Sequence, residues 1–208
     1  MNGRGLVIDK YYDDLLNIKT EGEQKGFNAS FHYHRYEATP YSALEQLFQQ
    51  YLISCDDRVV DFGCGKGRLN FYLNNKFDAT VVGIEMNEKY YSEAVENKEN
   101  YLKKKRISED KILFYCCLAE DYSIAPSDNR FYFFNPFSIQ IFRSIINNIL
   151  ISVEQSKREI EIILYYSSDD YIYFLENQTA FELKQEIILP DIYKQNPYER
   201  FLIYRLDY

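Results

Sequence analysis

The residues best suited to chemistry lie in the stretch VVDFGCGKGR, residues 59–68, where three glycines follow an apolar run within ten positions. Glycines in such a turn let the backbone approach a ligand closely. Asp61 stands two residues before Gly63, at the end of the apolar run. The ligand could be a phosphate, a dinucleotide or a molecule with an amino group. The neighbouring residues distinguish these alternatives.

The spacing of this turn argues against both phosphate ligands. A P-loop needs GxxxxGK[ST], but Lys66 is followed by glycine, and no Ser or Thr stands in register. A dinucleotide fingerprint needs its third glycine at the position that Arg68 occupies. Lys66 is then expected to be a solvent-facing turn residue.

Two carboxylates favour the third alternative. Asp61 can accept hydrogen bonds from a cationic amino group or from ordered water, which suits a ligand with an amino acid moiety. Glu85 ends the next apolar run, TVVGIE, where a carboxylate can accept both hydroxyl protons of a ribose. Together they predict a cofactor that joins an amino acid moiety to a nucleoside.

Alternating strands and helices must position these residues. The apolar periodicity predicts strands at 58–62, 79–85, 111–118, 130–135, 158–166, 180–189 and 199–207. It predicts helices at 9–18, from Thr39-Pro40 to about Ser54, and at 65–75, 87–106, 138–151 and 169–177. This order predicts a doubly wound, mostly parallel α/β sheet preceded by N-terminal helices. Only the turn PDIYKQNP separates the last two strands, so they should form a hairpin with one antiparallel strand.

The charge balance bears on the partner. The chain of 208 residues carries 24 basic and 32 acidic side chains, a net charge of −8. Broad contact with a phosphate backbone needs clustered Lys and Arg, so a small molecule or a protein is favoured over nucleic acid. The one dense basic run, Lys103 to Arg106, is interpreted as the solvated end of a helix.

The cysteines and the hydropathy predict a compartment. Cys55, Cys64, Cys116 and Cys117 have no zinc-like spacing and are interpreted as buried small hydrophobes of a reducing cytoplasm, with no metal site. The N-terminus has no apolar signal region, and no apolar run is long enough to span a membrane. A soluble cytoplasmic protein is the expectation.

Two stretches together resemble a known family. VVDFGCGKGR resembles the first motif of the class I S-adenosylmethionine-dependent methyltransferases, and VVGIEMNEKYYSEAVEN resembles the second. The resemblance extends over nearly all of residues 55–208. It implies a Rossmann-like core of seven strands, S-adenosylmethionine as cofactor and an in-line displacement at the sulfonium methyl carbon. We expect a single domain, with residues 1–54 as a helical cap on the core of residues 55–208.

The resemblance also implies a cofactor site. The glycine turn would approach the methionine part, Glu85 would bind the ribose, and Met86 would either pack on the adenine or belong to the core. Leu118 stands before Ala119 where many members carry an acidic residue, so Glu120, Asp121 or backbone would read the adenine amino group. The implied cofactor-binding residues are Tyr36, Thr39, Tyr41, Asp61, Gly63, Cys64, Gly65, Glu85, Met86, Ala119, Glu120 and Asn135.

The stretch FYFFNPFS resembles the Asn-Pro-Pro-Tyr motif of methyltransferases that act on amino or amide nitrogen. In that motif the Asn side-chain oxygen and a backbone carbonyl accept hydrogen bonds from the target NH2. Asn135, Pro136 and Phe137 are therefore the catalytic candidates, with Phe137 as a stacking face. The alternative is an ordinary strand-to-helix turn, in which Pro136 is rigid and Ser138 caps the helix.

The segment FHYHRYEATPYSAL precedes the first strand of the core. In related methyltransferases such a segment folds over the cofactor, which places Tyr36, Glu37, Thr39 and Tyr41 near it. The only histidines of the chain, His32 and His34, also lie here. One of them is a candidate general base, and ordinary surface or structural histidines are the alternative.

The leading prediction is a methyltransferase whose acceptor is unidentified, with an amino or amide nitrogen of a small molecule or protein as the candidate. A non-catalytic cofactor-binding partner subunit, an RNA methyltransferase and a nicotinamide oxidoreductase are the alternatives.

Overall fold

Strands and helices alternate along most of the chain in a computed structural model that describes residues 3–22, 37–105 and 109–207. The strands are β1 (Arg58–Phe62), β2 (Thr80–Glu85), β3 (Ile112–Cys116), β4 (Arg130–Phe133), β5 (Ile160–Tyr165), β6 (Glu182–Ile188) and β7 (Arg200–Leu206). The helices are α1 (Gly3–Leu16), α2 (Tyr41–Gln50), α3 (Arg68–Phe77), α4 (Glu88–Lys104), α5 (Ile139–Gln155), α6 (Asp169–Gln178) and α7 (Pro190–Tyr193).

The strands form one sheet in the order β3-β2-β1-β4-β5-β7-β6. β7 runs antiparallel to both of its neighbours, β5 and β6, whereas the other neighbouring strands pair in parallel. A short connection joins β6 to β7, and helices join most of the parallel strands. The predicted fold class is therefore confirmed, including the hairpin. The sequence reading missed α7, a single helical turn inside the connection that was predicted to be a plain turn.

Two helix starts differ from prediction. The helix expected from residue 65 begins at Arg68, because Gly63, Gly65 and Gly67 all have positive φ and cannot continue a right-handed helix. The helix expected from Thr39-Pro40 begins at Tyr41. Thr39 does not cap it, since its hydroxyl shares a 2.7 Å hydrogen bond with the hydroxyl of Tyr132.

The sheet buries an apolar cluster on each face. One cluster includes side chains of α1, α2 and α3, and the other includes side chains of α5 and α6. Arg68 ties the first helices to the core: its guanidinium donates to Thr20 and Asp9 and lies 4.7 Å from the ring centroid of Tyr41. Helices α1 and α2 therefore pack on the same core as the strands.

The prediction that all four cysteines are buried is wrong. Cys64 is buried, but Cys55 and Cys116 are exposed and Cys117 is partly exposed. Cys116 ends β3, which is the edge strand of the sheet, so its second half is less covered than the central strands.

Candidate functional site: the glycine turn and the cavity beside it

The backbone amides of the glycine turn already donate hydrogen bonds to other atoms of the protein. Both Gly63 and Cys64 donate to the carbonyl of Ile84, at 2.9 and 3.0 Å, and Gly67 donates to Cys64 at 2.9 Å. The amide of Gly65 donates to Oε2 of Glu85 at 2.9 Å. A phosphate-binding turn presents its amides to the ligand. Because these four amides are already engaged, the geometry disfavours a phosphate cradle here, as the spacing did.

Lys66 does not face solvent, which corrects the expectation from sequence. Its side chain is 12% exposed, its ammonium lies 2.9 Å from a carboxylate oxygen of Glu93, and it donates to the carbonyl of Glu21. The glycine turn is therefore held between α4 and the segment that follows α1.

Asp61 is buried near the end of β1. The residue is 5% exposed, and no described residue donates a hydrogen bond to it. Burial first, and the neighbouring charge of Glu85 second, raise the pKa of Asp61 to about 8. Burying an ionised carboxylate without a donor is costly. The amino group of an amino acid would supply the missing donors and positive charge.

Glu85 has a double role. Its two carboxylate oxygens accept from the amides of Gly65 and Asn87, at 2.9 and 2.8 Å. Burial raises the pKa of Glu85, against the lowering effect of these amides. Each carboxylate oxygen has a second lone pair, so the side chain can still accept from ribose hydroxyls. Sequence reasoning missed its contact with Gly65, which joins the two motifs.

Two exposed apolar side chains lie where the adenine is expected. Met86 and Leu118 follow the neighbouring strands β2 and β3 and are 42% and 39% exposed. The alternative that Met86 belongs to the core is therefore wrong. Ala119 is buried and Glu120 half-buried in a 3-10 turn, whose position is fixed by a hydrogen bond from Asn148 to the carbonyl of Glu120.

The turn after β4 reaches the glycine turn. A Cβ atom added to Gly63 would lie 3.0 Å from Cβ of Pro136, and Gly63 has a φ of +82°. Asn135 has a φ of +39°, in a region that non-glycine residues rarely adopt. Such backbone strain clusters at functional sites.

Phe137 is not a stacking face for a ligand. The residue is 4% exposed and packs in the cluster under α5 and α6, and its carbonyl accepts from the hydroxyl of Tyr171 at 2.7 Å. The predicted stacking role of the ring is thus wrong, whereas Ser138 stands at the N-cap of α5 as the alternative predicts, without a side-chain capping bond.

A cavity of about 360 Å³ lies beside this turn, at the carboxyl ends of β4 and β5. Its lining residues are Glu37, Pro40, Ser42, Ala43, Gln46, Phe134, Tyr165, Tyr166, Leu189 and Glu199. Sequence reasoning did not find it, apart from Glu37. Phe134 directly precedes Asn135, so the cavity and the turn adjoin.

The site residues predicted in the N-terminal segment lie in different places. Tyr36, His32 and His34 lie outside the described residues. Thr39 is buried against Tyr132, which lies beside Asp61 in the pairing of β4 with β1. Tyr41 is fully buried, and its hydroxyl donates to Asp13 at 2.9 Å, so the structure places it in the core rather than in the cavity.

Neither a metal-binding cluster nor a membrane-spanning helix occurs among the described residues. They contain no group of three His, Cys, Asp or Glu side chains that could hold a metal ion. None of their helices combines the length and hydropathy needed to cross a membrane.

Comparisons with known proteins agree with the site. Residues 39–121, which hold the glycine turn and Glu85, match a family model described as a methyltransferase domain. No curated protein matches the chain in sequence. The match covers less than half of the chain, and the fold around it is Rossmann-like.

Solved structures share the fold at low identity. An RNA methyltransferase from Salinibacter ruber in complex with S-adenosyl-L-homocysteine is 13% identical with a TM-score of 0.54, over 81% of this chain and 92% of that one. A candidate RNA methyltransferase from Pyrococcus horikoshii is 16% identical with a TM-score of 0.57, over 94% and 96%. A candidate tRNA (m1A22) methyltransferase from Streptococcus pneumoniae is 16% identical with a TM-score of 0.55, over 82% and 71%.

Proposed function

We propose that the chain methylates an amino or amide nitrogen of a small molecule or protein, as a single domain in which residues 1–54 cap the core of residues 55–208. The observation that carries this proposal is the close approach of Gly63 to Pro136. It joins the cofactor end, around Asp61 and Glu85, to the acceptor end, around Asn135 and the cavity.

The residues of the cofactor end fit S-adenosylmethionine, which we propose as the cofactor. Asp61 would accept from its amino group, Glu85 would accept from its ribose, and Met86 with Leu118 would cover its adenine. When bound, S-adenosylmethionine supplies a methyl carbon made electrophilic by the sulfonium. The chain supplies orientation and exclusion of water.

Asn135 would orient the acceptor. Its side-chain oxygen and the carbonyl of Pro136 are suited to accept from the two hydrogens of an NH2 group, which fixes the direction of the nitrogen lone pair. The positive φ of Asn135 supports this role, because strained backbone conformations cluster at functional sites.

Label transfer from methyl-tritiated cofactor into an extract tests the acceptor class. We expect label in dialysable or protease-sensitive material. Asn135→Ala should reduce transfer about 100-fold, as for a lost transition-state contact, with Asn177→Ala on the exposed face of α6 as the matched control. Nuclease-sensitive label would contradict the proposal and favour an RNA acceptor. Cofactor binding without any transfer would favour a partner subunit.

We also propose a cytoplasmic location. Cys55 and Cys116 are free and exposed, and such thiols persist in reducing compartments. Detection of either thiol in a disulfide in protein isolated from cells under thiol-trapping conditions would contradict this assignment.

A further inference from the structure

The cavity beside Asn135 has walls of a single charge sign. Glu37 is exposed, Glu199 is half-buried, and the lining includes no Lys, Arg or His among the described residues. A phosphate or carboxylate group would therefore be repelled, whereas a cation would be attracted.

Three aromatic rings form a corner in the same cavity. The centroids of Phe134 and Tyr165 lie 4.6 Å apart, and the ring of Tyr166 lies 6.4 Å from each of them at steep interplanar angles of 67° and 71°. The faces of aromatic rings attract ammonium groups, and cages of such rings recognise alkylated amines.

Hydrogen bonds hold the corner in place without a ligand. The hydroxyl of Tyr165 donates to Glu199 at 2.6 Å, and the hydroxyl oxygen of Tyr166 accepts from Asn196 at 2.8 Å. Burial above all, together with the bond to Glu199, raises the pKa of Tyr165, so this hydroxyl stays a neutral donor. A preformed site loses less free energy on binding than one that must be assembled.

The volume indicates the size of the occupant. About 360 Å³ lies at the lower end of the range for small-molecule sites. Leu189 and Pro40 add apolar wall, so an occupant with an apolar body can be desolvated beside the carboxylates.

We propose that this cavity binds the methyl acceptor as a cation: a small molecule with an ammonium group on an aromatic or apolar body. The assignment rests on the proposed function, since it takes the cavity next to Asn135 as the acceptor's site. Glu37 and Glu199 attract the ammonium, and the three rings contact it and its apolar body. The ammonium serves for recognition only, because a protonated nitrogen has no lone pair with which to attack the methyl carbon. The nitrogen that is methylated is a second, neutral amino or amide group of the acceptor, held at Asn135. No proton transfer is assigned to either carboxylate.

Three probes of one skeleton test the charge preference: 2-phenylethylamine, 2-phenylethanol and phenylacetate. Binding to the full chain is measured by calorimetry with saturating S-adenosylhomocysteine. We expect the amine to bind about tenfold more tightly than the alcohol, and phenylacetate not to bind in the millimolar range. Equal or tighter binding of the alcohol or the acid, or no binding of the amine, would overturn the proposal.

Matched variants locate the effect. Glu37→Gln and Glu199→Gln should each weaken the amine severalfold and leave the alcohol unchanged, whereas Glu154→Gln on the exposed face of α5 should change neither. Glu37 is exposed, so its variant keeps the test valid if Glu199→Gln fails to fold. Unchanged amine binding in Glu37→Gln would overturn the assignment to this cavity.

Two more measurements separate the remaining cases. Nα-acetyl-lysine methylamide carries the ammonium without the aromatic body, and tighter binding of this probe than of 2-phenylethylamine would replace the small molecule with a protein lysine. S-adenosylhomocysteine is titrated into the free protein before the amines are added. If it binds and the amine does not, only this inference fails; if it does not bind, the proposed cofactor site fails.

Discussion

The two ends of the site use negative charge differently. At the cofactor end, Asp61 and Glu85 are buried, and the carboxylate of Asp61 has no donor from the described residues. At the acceptor end, Glu37 is exposed and Glu199 accepts from Tyr165. A buried carboxylate without a donor destabilises the folded chain until a ligand compensates it, whereas a hydrated carboxylate selects by charge at little cost. We therefore expect large effects on affinity and stability at the cofactor end and smaller ones at the acceptor end.

The largest effect should follow Asp61→Asn. Losing a charge-assisted hydrogen bond costs about 1.5–3 kcal/mol, so the affinity for S-adenosylhomocysteine should fall about 10- to 100-fold. Calorimetric titration measures it, with Asp170→Asn on exposed α6 as the control. An unchanged affinity would remove Asp61 from the site.

Gly63→Ala should affect both ends, because this residue lies between them. A side chain at a φ of +82°, with its Cβ 3.0 Å from Pro136, should destabilise the fold by about 1–3 kcal/mol. Urea unfolding measures the loss, and cofactor affinity should fall with it. Asn177→Ala, at an exposed position that is not a glycine, is the control. A Gly63→Ala protein as stable as the wild type would contradict the close approach of the two turns.

The pH dependence should be specific to the cofactor end. Asp61 has a pKa of about 8 in the folded chain and an ordinary value near 3.8 when unfolded, so between these values the folded chain binds the extra proton. The free energy of unfolding due to this group is therefore highest at low pH and falls as pH rises towards 8, by at most about 1.4 kcal/mol per pH unit.

Cofactor affinity should change in the opposite direction. Because binding needs the ionised carboxylate, affinity should rise by up to about tenfold per pH unit as pH approaches 8. Calorimetric titrations at several pH values measure it, and Asp61→Asn should flatten both the stability and the affinity profiles. A profile of wild-type affinity that is already flat below pH 8 would show that Asp61 is ionised before the ligand arrives.

The two ends also differ in how far the sequence predicts them. Asp61, Gly63 and Glu85 lie within short motifs whose spacing is local, so their positions at the ends of β1 and β2 could be predicted. The cavity could not, because Tyr165 and Glu199 meet only through the antiparallel pairing of β5 with β7, which sets Tyr165 opposite Phe201. The burial of Phe137 likewise depends on residues distant in sequence, since it packs in the cluster that includes side chains of α5 and α6.

The smallest effect should follow Tyr166→Phe at the acceptor end. The substitution removes the hydroxyl that accepts from Asn196 but keeps the ring, so the fold should lose about 1 kcal/mol, as for one neutral hydrogen bond. Urea unfolding measures this loss. Calorimetry should show an unchanged affinity for S-adenosylhomocysteine, because Tyr166 lines the cavity and is not part of the glycine turn. Tyr173→Phe, on exposed α6, is the matched control. A fall in cofactor affinity comparable with that of Asp61→Asn would mean that the two ends are energetically coupled. The carboxylates at each end could then not be assigned to the cofactor alone or to the acceptor alone.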